Sequence, residues 1–194
     1  PVGVKELMFR DCLNLQTLIV PGDIGYPIRL SGAFADDQGN VFEGPAQEPD
    51  QVTTYTRVEV DGWLKDYNFS ASGNRVVLLG YGGEEEEHLT VHGSAEIIGN
   101  QYDEIEFTNF IGTGYYYNLS QSLTEVTFEK GVILSEDSSN LLKGCKKLTT
   151  VDMSEADVSE VVNMDDMFAG CESLATIMTP KNLTCDAGLT GTFT

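Results

Sequence analysis

LTTVDMSEADVSEVVNMDDMFAGCESL, residues 148–174, is one full copy of a repeat that returns along the C-terminal half of the chain. LLKGCKKLTTVDM from residue 141 and MFAGCESLATIMT from residue 167 share the frame apolar-x-x-Cys-x-x-Leu-x-Thr-apolar, with an offset of 26 between Cys145 and Cys171. A weaker copy, YYNLSQSLTEVTF, begins at residue 116, an offset of 25 before the copy at residue 141, and has Ser120 at the cysteine position. Another copy, LMFRDCLNLQTLIVP, begins at residue 7. The frame therefore holds over three consecutive repeats and returns near the N-terminus.

A period of roughly 20 to 29 residues with leucine-spaced strands predicts a solenoid of the leucine-rich-repeat kind, whose turns bury apolar side chains by stacking on one another. In LTTVDMS we expect Leu148, Val151 and Met153 to point inward, since side chains alternate along a strand. The outward positions of this strand and of its neighbours are then Glu125, Thr127, Glu129, Thr150, Asp152, Ser154, Thr176 and Met178. The predicted fold is mostly β, with short helical or irregular segments and β-hairpin caps.

Residues 148–174 resemble the repeat of the BspA-like leucine-rich-repeat surface proteins of bacteria. The pattern of that family runs L-x-x-L-D-L/M-S-x-x-D-T/V-S-x-V-x-x-M-x-x-M-F-x-x-C-x-x-L. The matching residues here are Asp152, Ser154, Asp157, Ser159, Val161, Met164, Met167, Phe168 and Cys171. The resemblance covers residues 116–194 and residues 7–20, and it implies surface adhesion. The middle of the chain departs from the pattern.

The two ends of the chain also repeat each other at a longer offset. Residues 8–35 align without a gap on residues 167–194, an offset of 159, and nine of the 28 aligned pairs are identical. Among them are Cys12 with Cys171, Leu15 with Leu174 and Thr17 with Thr176. We therefore expect a module of about 159 residues. Both termini of the chain are expected to belong to a longer tandem array of such modules.

Turn and linker signals divide the chain into two modules. Residues 1–45 are predicted to end one leucine-rich-repeat module with a capping hairpin that turns at DDQGN, residues 36–40. Residues 46–62 are predicted to be a linker, because GPAQEPDQ at residues 44–51 has two prolines and no large apolar residue. Residues 63–194 are predicted to be the next module, with repeats from about residue 89 and a truncated C-terminal cap.

The start of the second module is predicted in more detail. YNFSASGNRVVLLGY, residues 67–81, predicts an N-terminal hairpin cap in which Tyr67 and Phe69 face Val77 and Leu79 across a turn at residues 72–74. DEIEF at residues 103–107 and TEVTF at residues 124–128 have similar sequences and are expected to be adjacent rungs of the solenoid.

Composition narrows the function classes. With 31 acidic and 11 basic residues the net charge is -20, a surface that repels phosphate backbones and anionic headgroups, so nucleic acid and direct membrane insertion are not expected. Only two histidines are present, His88 and His92, and no nucleophile elbow, phosphate loop or paired catalytic carboxylate is found. We expect no enzyme, no catalytic residue and no cofactor.

Three residue groups are candidate sites. His88 and His92 share one strand face beside carboxylates, yet a solvated face is favoured over zinc or copper. Glu155, Asp157, Glu160, Asp165 and Asp166 reproduce no calcium loop and are expected to be solvated. Cys145 and Cys171 are expected to be buried free thiols rather than a disulfide, because Ser120 replaces cysteine at the same register; Cys185, outside the frame, is the least determined. No metal site is expected.

The expected function is macromolecular recognition by a secreted or cell-surface bacterial protein. The ligand-binding residues are predicted to be the exposed strand positions Glu125, Thr127, Glu129, Thr150, Asp152, Ser154 and Thr176, together with Tyr115 and Tyr116. The expected partners are an extracellular or host protein, with a polysaccharide as an alternative, and neighbouring modules of the same chain. Another interpretation is a passive spacer in a multi-module surface protein. A polysaccharide-degrading enzyme would need two carboxylates within about 10 Å across a cleft.

Overall fold

The computed structural model describes residues 12–21, 28–46, 51–108, 111, 117–181 and 183, and these residues form a mostly β structure with a solenoid of about 4 turns. One short α-helix, α1, is present among the described residues, at Tyr117–Ser122. The strands are β1 Thr17–Val20, β2 Ile28–Ala35, β3 Val41–Ala46, β4 Thr53–Arg57, β5 Tyr67–Ser72, β6 Arg75–Tyr81, β7 His88–Val91, β8 Ala95–Ile97, β9 Asn100–Tyr102, β10 Glu104–Phe107, β11 Glu125–Phe128, β12 Val132–Leu134, β13 Thr150–Asp152 and β14 Thr176–Met178.

One wall of the solenoid is a four-stranded parallel sheet in the order β14-β13-β11-β7. Val126 pairs with Val151, and Val151 pairs with Ile177, so the stacked strands follow the two spacings that the repeat predicts. The inward side chains of β11 and β13 are buried, as is Leu148 just before β13. The predicted leucine-rich-repeat-like solenoid is confirmed in this part of the chain.

A second wall is formed by β6, β10 and β12, which pair in parallel, and a bridge between Ile133 and Asp157 continues it into the last turn. The expectation that residues 103–107 and 124–128 are adjacent rungs is wrong. β10 lies in this second wall, whereas the neighbours of β11 in the first wall are β7 and β13. Phe107 and Phe128 instead meet across the core, edge to face, with ring centroids 5.2 Å apart. Strands of the two walls therefore look alike in sequence because both alternate between inward and outward side chains.

The third side of the solenoid is irregular and is held by main-chain hydrogen bonds between successive turns. The N–H groups of Asn140, Leu142 and Gly144 donate to the carbonyl oxygens of residues 165, 167 and 169 respectively. Ser120 and Cys145, which occupy the same register of the repeat, are both buried. Each coil on this side satisfies main-chain hydrogen bonds of its neighbour, so the two coils follow the same path here.

The N-terminal part of the structure is antiparallel. β2 and β3 form the predicted hairpin at residues 36–40, where the Asp36 carboxylate accepts hydrogen bonds from the N–H groups of Gln38 and Asn40, both at 2.9 Å. β3 pairs with β5, and β5 pairs with β6, so this sheet runs on into the second wall of the solenoid. A small separate cluster of Val20, Leu30, Phe34, Phe42 and Tyr55 lies under β1 to β4.

The β5–β6 hairpin exists as predicted, but its pairing is shifted. Phe69 faces Leu78 and Tyr67 faces Tyr81, because the loop has two residues, Gly73 and Asn74, and because the register shifts near Asn68. Val76 and Leu78 are buried, whereas Leu79 is 44% exposed. The prediction that Val77 and Leu79 face Phe69 and Tyr67 is therefore wrong, since a slip of one residue exchanges the two faces of a strand.

The structure adds strands near the predicted module boundary. Residues 53–57 of the predicted linker form β4, which pairs antiparallel with β1 and β2. β8 and β9 form a further small hairpin between β7 and β10. The division into modules at residues 1–45, 46–62 and 63–194 stays a prediction, and residues 182 and 184–194 of the aligned C-terminal segment lie outside the described residues.

Candidate recognition face

The outward side chains of β7, β11, β13 and β14 form a polar surface that we call the strand face. It arises because each of these strands alternates, with Leu89, Val126, Val151 and their neighbours pointing into the core. The members of the strand face are His88, Thr90, His92, Glu125, Thr127, Glu129, Thr150, Asp152, Ser154, Thr176 and Met178. The residues predicted on this face are therefore brought together by the fold.

Strand register arranges the strand face in columns. One column is His88, Glu125, Thr150 and Thr176, and the next is Thr90, Thr127, Asp152 and Met178. Neighbours in a column are about 4.8 Å apart, the spacing of paired strands. Thr127, Thr150 and Asp152 are half-buried, while Glu125, Glu129, Ser154 and Thr176 are exposed.

Two histidine–glutamate pairs join β7 to β11. Nδ1 of His88 lies 3.0 Å from Oε2 of Glu125, and Nδ1 of His92 lies 3.2 Å from Oε2 of Glu129. The sequence places both histidines on one strand face but does not connect them to the predicted site. The sequence repeat does not predict that β7 pairs with β11, because the paired residues are separated by 37 positions and not by one repeat.

Side-chain hydrogen bonds hold the strand face in place where the chain leaves β13. Oδ1 of Asp152 accepts a hydrogen bond from the Ser154 N–H at 3.0 Å and another from the Ser154 hydroxyl at 2.7 Å. A carboxylate that folds back on the following turn in this way holds the chain as it leaves β13. Asp152 thus offers one remaining oxygen to a partner rather than two.

An aromatic cluster borders the strand face at β7. The Trp63 ring lies 5.2 Å from the His92 ring and 5.7 Å from the Tyr67 ring, and Tyr67 meets Tyr81 edge to face at 5.1 Å. Burial raises the pKa of both tyrosines above the usual range, so their rings are packing elements of the core. Trp63 is half-buried and adds an apolar rim that the sequence analysis did not identify. Tyr115 and Tyr116, predicted as ligand-binding residues, lie outside the described residues.

The cysteines are free thiols where the structure describes them. Cys145 is buried, and burial raises its pKa to about 12, so it behaves as a small core hydrophobe. Cys171 is only half-buried, which corrects the expectation of full burial; it belongs to the last described rung, and its thiol donates to the Leu142 carbonyl oxygen at 3.1 Å. Cys12 is exposed, and Cys185 lies outside the described residues.

Within the described ranges, no group of three or more histidine, cysteine, aspartate or glutamate side chains could hold a metal ion. The acidic residues considered for calcium have other contacts. Asp166 pairs with Lys143 at 2.7 Å, Glu160 pairs with Arg75 at 2.8 Å, and Asp157 accepts from the Ser159 N–H at 2.8 Å. Over the same residues, no helix has the length and apolar character needed to cross a membrane.

Comparisons with known proteins do not identify a family for this chain. No protein-family model matches the chain, and no curated protein matches it. A crystal structure of a leucine-rich cell surface protein from Faecalibacterium prausnitzii A2-165 matches with 18% identity and a TM-score of 0.39, over 66% of this chain and 44% of that protein. This chain therefore spans less than half of that protein, and a likeness of this size establishes neither a shared family nor a shared activity.

Proposed function

We propose that this chain is a non-enzymatic recognition module of a bacterial surface or secreted protein, and that the strand face is its binding surface. The observation that supports the proposal is the continuous polar lattice of the strand face on four parallel strands. Main-chain pairing fixes the backbone of these strands, so little backbone entropy is lost when a partner binds.

Charge indicates the kind of partner. The strand face carries Glu125, Glu129 and Asp152, and the whole chain has a net charge of -20. Anionic polymers are repelled by such a surface, whereas a basic protein surface is attracted to it. We therefore favour an extracellular protein with a basic patch over an anionic polysaccharide.

The size of the strand face sets the strength of binding. Four strands with two or three outward positions each cover roughly 15 by 15 Å, about a quarter of the roughly 800 Å² that each partner buries in a stable interface. A single copy should bind with a dissociation constant of about 10 μM or weaker. Display of several copies side by side would raise the apparent affinity, which suits a repeat protein presented on a surface.

The test is binding of a tetramerised chain to arrayed extracellular matrix proteins, basic proteins, mucin and neutral glycans. Thr150→Lys places a long cation on the strand face, and we expect at least a tenfold loss of the strongest signal. Ser159→Lys is the matched control, because it makes the same change on an exposed turn away from this face. Equal binding by the two variants, or no binding beyond an unrelated acidic protein, would favour the passive spacer.

A further inference from the structure

The chain contains two copies of one structural element, and among the described residues only the first copy has strands on the side that β4 occupies. In the Cys12–Leu15 turn the Leu15 N–H donates to the Cys12 carbonyl oxygen at 3.0 Å, and in the Cys171–Leu174 turn the same bond is 3.1 Å. Each turn is followed by a strand, β1 in the first copy and β14 in the second, and the two strands align with each other in the end-to-end repeat of the sequence. The two copies therefore share backbone structure as well as sequence.

The neighbours of β1 and β14 differ in a complementary way. β1 pairs antiparallel with β4, and β14 pairs parallel with β13. The Thr176 N–H and the Met178 carbonyl oxygen bond toward the preceding turn, to Thr149 and Met153 respectively, so the N–H and carbonyl of Ile177 point to the opposite edge. No described strand pairs with that outer edge of β14.

The outer edge of β14 corresponds to the edge of β1 that β4 occupies. Arg57 donates its N–H to the Gln16 carbonyl oxygen at 2.8 Å, and bonded pairs recur every second residue in an antiparallel ladder, so Leu18 is the next residue bonded to β4. Leu18 and Ile177 are equivalent in the end-to-end alignment. A β4 strand beside β14 would thus meet, at the required register, an N–H and a carbonyl that no described strand pairs.

The side chains that hold β4 against β1 would find similar partners at β14. Leu15 and Leu18 pack against the cluster that contains Tyr55 and Phe34. Their equivalents Leu174 and Ile177 are half-buried and line an open cleft of about 550 Å³ at the end of the solenoid. Leu15 is matched by Leu174 and Leu18 by the aliphatic Ile177. The cleft can therefore receive Tyr55 in the way that Leu15 and Leu18 do.

Arg57 binds main-chain carbonyl oxygens in and beside the turn, not side chains. Its Nε donates to the Leu15 carbonyl oxygen at 2.6 Å, and one terminal nitrogen donates to the Ser31 carbonyl oxygen at 2.7 Å. The same nitrogen lies 3.4 Å from the Cys12 carbonyl oxygen. Main-chain carbonyls of the Cys171–Leu174 turn would satisfy Arg57 equally well, because the two turns have the same backbone hydrogen bond.

From this equivalence we propose that the outer edge of β14 accepts β4 of a second copy of this chain. In the joined pair, β4 leaves β1 of its own copy and pairs with β14 of the other copy, so that copies join head to tail. The proposal does not depend on the proposed function, since it involves the main-chain edge of β14 and not the outward side chains of the strand face. Within one copy β1 is tethered beside β4 and competes with the exchange. Dimers should therefore be favoured when β1 is released.

Cross-linking tests the proposal directly. Thr17 and Thr56 are opposite each other between bonded pairs, where Cα atoms are about 4.5 Å apart and a disulfide can form. Thr56→Cys with Thr176→Cys should give a disulfide between 15N-labelled and unlabelled copies, found by mass spectrometry of the linked peptides. Thr56→Cys with Thr127→Cys is the matched control, because β11 is already paired on both sides. No interchain 56–176 peptide at about 100 μM protein, or an equal yield of 56–127 peptide, would overturn the proposal.

Two further variants change the competition by β1. Leu18→Pro removes an N–H from β1 and should raise the yield of interchain 56–176 disulfide by roughly tenfold or more. Thr17→Cys with Thr56→Cys should lock β1 in place, and this oxidised variant should stay monomeric in analytical ultracentrifugation at concentrations where the reduced form self-associates. Self-association that the lock leaves unchanged would contradict the exchange.

Discussion

The parallel stack of β7, β11, β13 and β14 and the antiparallel region of β1 to β5 use the same alternation of inward and outward side chains but obtain their register differently. In the stack, β11, β13 and β14 follow one another at intervals of one repeat, as the pairing of Val126, Val151 and Ile177 shows. In the antiparallel region, register depends on the loop at Gly73 and on irregularities such as the shift between Leu30 and Phe34. A periodic sequence therefore fixes neighbours over long separations, whereas a hairpin depends on a few turn residues.

The largest expected effect lies in the stack. Leu148→Ala should lower the free energy of unfolding by about 2 to 5 kcal/mol, because Leu148 is fully buried between two turns. Leu79→Ala, at a 44% exposed position in the hairpin, should cost less than about 1 kcal/mol. Chemical denaturation of the two variants measures the contrast, and equal losses would mean that the stack does not provide the core.

A contact between two turns should give the next largest effect. A Cβ added at Gly93 would lie against the Lys130 carbonyl group of the next turn, closer than side chains ever approach backbone. Gly93→Ala should therefore cost about 2 to 3 kcal/mol, since backbone must move. Gly82→Ala is the matched control, because its Cβ would meet only the Asp66 carbonyl oxygen at 3.8 Å. Comparable melting temperatures for the two variants would contradict the observed stacking distance of the turns.

The antiparallel region should respond to pH through Glu43. Burial raises the pKa of Glu43 to about 7, against the opposing effects of a hydrogen bond at Gly32 and the charge of Arg57. Because the folded protein holds this proton more tightly than the unfolded chain does, the stabilisation is complete below about pH 4.5 and is lost as the pH rises through 7. After allowance for solvent screening of a partly exposed carboxyl, the change is about 1 kcal/mol.

Glu43→Gln isolates this titration from that of the other carboxylates. As the pH rises from 5 to 8, the free energy of unfolding of wild type should fall relative to that of Glu43→Gln. A difference independent of pH would show that Glu43 is solvated as an ordinary carboxylate.

The smallest expected effect is on an ion cluster that links coils of the second wall. Arg75 contacts Glu104 at 3.1 Å, Glu106 at 3.3 Å and Glu160 at 2.8 Å, and its hydrogen bond holds the pKa of Glu160 below the usual range. Glu160 is exposed, and Arg75, Glu104 and Glu106 are only half-buried, so Glu160→Gln should cost about 0.5 kcal/mol, less in roughly 0.5 M salt. A loss above about 2 kcal/mol would show that this cluster, and not apolar packing, holds the second wall to the last turn.

The contrast between the two regions also explains what could be predicted from the sequence. The register of Val126, Val151 and Ile177 follows from the repeat alone. The pairing of His88 with Glu125 does not, because β8, β9 and α1 intervene and lengthen that coil beyond the repeat. Likewise, the sequence predicts Leu79 inward by way of a three-residue turn, whereas the chain makes a two-residue turn. Insertions and turns change strand register locally, and the repeat period of the sequence does not predict them.

The central claim is that β11 lies between β7 and β13, so that the strand face is one continuous surface. Interstrand nuclear Overhauser effects from the backbone of Val126 measure this most directly. We predict cross-peaks from Val126 to the neighbours of Leu89 and Val151, its register partners. Cross-peaks from Val126 to the neighbours of Ile105, with none to β7, would place residues 103–107 beside β11 and contradict the two-walled solenoid and its strand face.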